Sequence, residues 1–217
     1  MPRPTETALK NRARTLLEAM TERARWIYAV PRDDGPAAAR ALALAAGLRV
    51  QQEDEGAGAT RYEDEKGTTS LVTLDSAELE VLLVEASGPG APDLLARILD
   101  TAGFYAQSTL LGTAADVRDP ESTKALRTLA HMVVAWDEDW SDLFLLHLAS
   151  PDAVARHEAV LALTVAVMVA REPGPAPALL GEAIAREKFP KLKDTMVEAL
   201  NVVRAVGGKP VEITPES

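Results

Sequence analysis

The stretch SPDAVARHEAVLALTVAVMVAR, residues 150–171, decides how the chain is read. Pro151 breaks whatever precedes it, and the helix expected beyond it carries Val154, Ala155, Ala159, Val160, Leu163, Ala166, Val167 and Ala170. Leu161, Ala162, Val165, Met168 and Val169 fill most of the remaining circumference. A surface helix keeps its apolar side chains to one stripe. A helix that is apolar on several sides needs neighbours on several sides, as in the middle of a helical stack.

Composition points the same way. The 217 residues include 38 Ala and 28 Leu, the strongest helix formers, while aromatics make up only 4%. The expected fold is all-α, a right-handed α-solenoid or helical stack carrying a small β-hairpin insert. Cys is absent, which excludes disulfide scaffolds, thiolate zinc sites, iron–sulfur clusters and a Cys nucleophile. No signal peptide is legible and no run of about 18 residues is apolar throughout, so membrane insertion is not expected. High Ala, Arg and Gly usage suits a GC-rich bacterial genome, and the expected compartment is the cytoplasm.

Outward from the central stretch, helices are expected over residues 104–114, 121–136, 139–149, 153–171, 176–187 and 191–206, with Pro- or Gly-bearing turns between most of them. Upstream, helices are expected over 5–30, 37–46, 75–86 and 93–101. The first is amphipathic: Leu9, Ala13, Leu16, Leu17, Met20, Ala24 and Ile27 share an arc flanked by Lys10, Arg12, Arg14, Arg23 and Arg25. Asp75 with Glu78 three residues on reads as a capping box opening the helix over 75–86. Between residues 48 and 74 the texture changes to Val, Thr and Gly around two acidic clusters, and two or three short strands are expected there. The expected domains are thus the N-terminal helices 1–47, the acidic insert 48–74, the helical body 75–206 and a flexible tail 207–217. Residues 1–32 carry +4 of the net −10, leaving −14 for the remainder.

The second half repeats. Pro151 and Pro190 stand 39 residues apart, and each turn joins one apolar helix to another, giving a helix-pair unit of about 40 residues. Leu148 to Leu163, with Asp152, Arg156, Ala159 and Leu163 after the turn, resembles the HEAT-repeat pattern of a turn Asp, a second-helix Arg and small or aliphatic core positions. Asp119-Pro120 followed by Ala125, Leu126, Leu129 and Val133 is a third, weaker copy, offset by 31 residues. The resemblance implies a scaffold or adaptor that presents a face to another macromolecule.

Few residues suggest chemistry. His157-Glu158 opens like a zinc-protease motif, but position 161 is Leu, so the second ligand is missing. Gly56-Ala57-Gly58 lacks the third Gly of a nucleotide loop and sits among carboxylates. No metal and no cofactor is expected. Trp136-Asp137-Glu138-Asp139-Trp140-Ser141-Asp142 concentrates two Trp and four acids. Trp136 and Trp140 are the expected binding anchors, with Asp137, Glu138 and Asp139 as their charged rim, and the acidic body implies a protein partner with a basic surface.

The same segment, with the stretches 148–171 and 188–209 after it, resembles the HEAT-like alkylpurine DNA glycosylases. That resemblance implies Trp136 holding the lesion, Asp139 stabilising a cationic sugar, and Arg156 beside them. In that family the Asp stands four residues after the Trp, whereas here it stands three. A body at −14 disfavours DNA unless Arg186, Lys188, Lys191, Lys193, Arg204 and Lys209 gather on one face.

Overall fold

Residues 25–136 and 138–206 are described by a computed structural model of the chain. Among them, Arg25–Pro31 is a strand, β1, and so are Arg49–Asp54 (β2), Ala59–Glu63 (β3), Ser70–Ser76 (β4) and Val81–Ser87 (β5). The all-α expectation is therefore overturned: the protein is mixed α/β, with a five-stranded antiparallel sheet. The rest of the basic N-terminal segment expected to be helical, residues 1–24, and the expected tail, 207–217, lie outside the described residues. The chain divides into two units, one ending at Tyr105 and one beginning at Ala106.

In the first unit the strand order is β1-β5-β4-β3-β2. Segments 25–31 and 81–87 fall largely within the expected helices 5–30 and 75–86, because short apolar runs carry no decisive periodicity; Trp26, Ile27, Tyr28 and Val30 are nonetheless strand formers. Asp75 opens no helix. It lies in β4, where its carboxylate accepts Arg32 Nε at 2.5 Å. Register explains the core: Trp26 faces Ala86, Tyr28 faces Val84 and Val30 faces Leu82, and on the other flank of β5 Leu71 faces Ala86. These alternate residues share one face, covered by helices α1 (Gly35–Ala45) and α2 (Ala91–Ala102). Helix α2 contributes Leu94, Leu95, Ile98 and Leu99, all buried.

The two sheet edges are handled differently. Tyr105 N donates to Ala29 O of β1 at 2.9 Å. Strand β2 is exposed at all six positions, carries Arg49, Glu53 and Asp54, and has a bulge between Val50 and Gln52. Charge and a bulge are the usual devices that keep an open edge from pairing with another chain.

The second unit contains α3 (Gln107–Ala115), α4 (Ser122–Ala130), α5 (Glu138–Leu148), α6 (Ala153–Ala170), α7 (Ala176–Arg186) and α8 (Pro190–Val206). Each helix packs on its sequence neighbour within the pairs α3/α4, α5/α6 and α7/α8. Each also packs on the helix two places on, so α3, α5 and α7 make one layer and α4, α6 and α8 the other. Helix α6 is the central member, burying Ala159, Val160, Ala162, Leu163, Ala166 and Val167. Among the described residues it is the one helix long and apolar enough to cross a membrane, with mean hydropathy 1.6 over 18 residues. Its buried face is taken up by α4, α5 and α8. Its cover is less complete than its composition implies, because Val154, Leu161 and Met168 are exposed on the remaining side.

Candidate functional site

The turns at Pro151 and Pro190 meet at one end of the helical stack, and a single ion pair joins them. Arg156, in the first turn of α6, donates from Nε to Glu187 Oε2 at 2.8 Å and from Nη2 to Oε1 at 3.0 Å. Its Nη1 donates to the carbonyls of Ser150 and Pro151 at 2.9 and 3.1 Å. The Arg side chain is 13% exposed and that of Glu187 is 1%. Glu187 Oε1 also accepts from the backbone N–H of Lys188 at 2.8 Å and of Phe189 at 2.9 Å, in the link between α7 and α8. The guanidinium, and after it these two amides, hold the Glu187 carboxyl down to about 2. Every group of this pair is engaged, so it serves as a bracket rather than as an acid or base.

On that bracket sits an exposed surface. The Arg156 guanidinium carbon lies 5.7 Å from the centroid of the Phe189 ring, which is itself 58% exposed; Val154 nearby is 66% exposed. Clefts of about 350 and 380 Å³ flank Phe189, the first against Leu148, Pro151 and Ala183, the second against Val154, His157 and Leu192. Lys188 lines the first and Lys191 the second; both, and Lys193 in the first turn of α8, are exposed and have no carboxylate partner among the described residues. No family model, curated protein or solved structure matches this chain. What the surface does therefore rests on its own chemistry.

The residues singled out in the sequence go elsewhere. Trp140 is 3% exposed, in the core of the stack. Trp136 is half-buried: its Nε1 donates to Glu172 O at 3.2 Å, its ring meets Phe144 edge-on at 6.1 Å, and it lies on Gly174 so closely that a Cβ there would stand 2.3 Å from the indole. The pair thus staples the link before α5 to the link after α6. Asp139 is exposed, Glu138 is the first residue of α5, and Asp137 lies outside the described residues.

Trp136, Asp139 and Arg156 do not converge. Trp136 packs beyond the C-terminal end of α6 and Arg156 on its first turn, separated by roughly 20 Å of helix at 1.5 Å per residue. The cations split as well: Arg186, Lys188, Lys191 and Lys193 gather at the Phe189 end, Arg204 stands in the last turn of α8, and Lys209 lies outside the described residues. Among the described residues no three His, Asp or Glu side chains are placed to hold a metal ion.

A third cleft, of about 330 Å³ in the first unit, is lined by Arg40, Glu53, Asp54, Glu55, Tyr62 and Asp75. Two of its acids are matched, Glu53 to Arg40 at 3.5 Å and Asp75 to Arg32 at 2.5 Å.

Titration of the second unit has a worked sign. His147 is 1% exposed, and Nε2–H donates to Ala114 O at 2.7 Å; burial lowers its pKa below the usual 6.5. His131 is lowered for the same reason, with Arg127 adding to it. The unfolded chain therefore binds these protons first, so their contribution is complete above pH 6.5 and is lost as pH falls through the lowered folded values. Glu187 adds a second loss from its ordinary 4.5 down to about 2. Urea midpoints are expected to be flat above pH 7, to fall as pH drops below about 6.5, and to take a further loss below about 4.5. In His147→Gln the first fall shrinks; an unchanged profile contradicts the assignment.

Proposed function

We propose that the protein is a cytoplasmic, non-enzymatic adaptor whose second unit, a HEAT-like set of stacked helix pairs, holds another protein at the Phe189 end. The observation that carries this reading is an exposed aromatic ring and an exposed Val on a frame fixed by a buried two-point ion pair. Exposed apolar side chains flanked by clefts and rimmed by charge are what a docking hot spot needs, and the bracket keeps its ordering cost low. Stacked helix pairs supply extended surfaces of this kind without catalytic groups.

A basic partner, favoured at long range by the net charge of −10, is the second reading. Its support is the acidic run Glu53, Asp54 and Glu55, exposed on β2 and the turn after it.

Val154→Glu/Phe189→Glu tests the main reading. Both side chains are mostly exposed, so the melting temperature is expected to stay within the small range of surface substitutions. Affinity recovery from native lysate is expected to lose a protein that the parent retains. Recovery of the same proteins by both forms sinks the proposal.

A further inference from the structure

We infer that the Phe189 end takes an acidic linear segment of a partner protein, one in which carboxylates flank an apolar side chain. The inference rests on the adaptor reading above and names the partner's chemistry.

Charge is the first argument. In a chain of net −10, the run Lys188-Phe189-Pro190-Lys191-Leu192-Lys193 places exposed Lys188 and Lys191 in the clefts on either side of one exposed ring, with Lys193 exposed in the first turn of α8. Of the carboxylates close by, all but Asp194 are engaged. Glu187 is turned inward to Arg156 and Glu182 pairs with Arg186 at 2.9 Å. Asp152 accepts Val154 N at 3.0 Å as the cap of α6, and Asp194 stands exposed beside Lys193. The balance at the ring is positive, the reverse of the whole chain, so an approaching acidic segment meets a local attraction that the distant field does not supply.

Shape is the second argument. The clefts on the two sides of Phe189, about 350 and 380 Å³, have apolar walls from Leu148, Pro151 and Ala183 on one side and Val154 and Leu192 on the other. Each has room for one apolar side chain, and Lys188 lines one and Lys191 the other, where carboxylates either side of that anchor reach them. Three unpaired lysines are too few for a duplex, which draws on several phosphate contacts and would be repelled by the rest of the chain.

Fluorescence anisotropy with the full-length protein and a labelled peptide, (Glu-Glu-Leu)4, tests this. The parent is expected to bind, to weaken as NaCl rises, and to lose about tenfold or more in affinity in Lys188→Glu/Lys191→Glu/Lys193→Glu and about threefold or more in Phe189→Ser. The inference is overturned by equal affinity of parent and triple variant, by absence of binding, or by tighter binding of (Lys-Lys-Leu)4, of a duplex DNA of the same charge, or of phosphatidylserine vesicles. If the peptide fails while Val154→Glu/Phe189→Glu still loses its lysate partner, the acidic class falls and the adaptor reading stands. If neither variant changes anything, both fall.

Discussion

Arg156→Ala is expected to lower the unfolding free energy by about 3–5 kcal/mol, because it strands a buried carboxylate. Glu187 is 1% exposed at its side chain and, without the guanidinium, keeps only the Lys188 and Phe189 amides as donors. Two backbone carbonyls, of Ser150 and Pro151, lose their donor as well, so both inter-helix turns loosen together. Glu187→Ala is expected to cost a similar amount, since it removes both the pair and the acceptor of the Lys188 and Phe189 amides. The double variant is expected to cost clearly less than the sum of the two, the mark of two groups that act as one. Urea unfolding at pH 7 measures all three. Additive single effects, or an Arg156→Ala cost below about 1 kcal/mol, would show that the bracket does not hold the turns.

Gly88→Ala is expected to be as damaging to the first unit, by about 3 kcal/mol, combining left-handed strain with overpacking. Gly88 joins β5 to α2 at φ +94°, and a Cβ there would stand 1.9 Å from the Thr68 carbonyl oxygen and 2.9 Å from Thr69 Cα. Both obstacles are backbone, so no side chain can turn aside. Gly47 is the control: its φ is +81°, but nothing lies within 4 Å of the added Cβ, so Gly47→Ala carries the strain alone, about 1 kcal/mol. Equal midpoints for the two variants would remove the close approach from the explanation.

Sequence pattern located the second unit closely and misplaced much of the first. The helices expected over 153–171, 176–187 and 191–206 are found at Ala153–Ala170, Ala176–Arg186 and Pro190–Val206. Long periodic segments with Pro at the start carry their own boundaries. Segments 25–31 and 81–87 are seven residues each, shorter than two helical turns, and their apolar runs fit a buried strand as well as a helix. What makes 25–31 a strand is pairing with residues about 60 positions on, as Tyr28 with Val84, which no local window contains, and 81–87 is held on its other side by the hairpin with β4. The segment 48–74, read as an insert, supplies β2, β3 and most of β4 to the same sheet.

The candidate site was half legible. The cluster Arg186, Lys188, Lys191 and Lys193 stood out by charge, and Arg156 by its place in the repeat. The exposure of Phe189 was not, since an aromatic between helices is buried more often than not. Its environment is set by Glu187 turning inward to an Arg 31 residues earlier. Trp136 and Trp140 drew attention by rarity and acidic company, yet rarity and burial go together for a large aromatic, and both are packing residues.

The docking role of the Phe189 end is tested most directly by a photocrosslinking amino acid placed at position 189 and, as a control, at Leu44, an exposed apolar residue of the first unit. After irradiation in cells, a discrete adduct with one partner protein is expected from position 189 and not from position 44. The same adducts from both positions, or none from position 189, would contradict it.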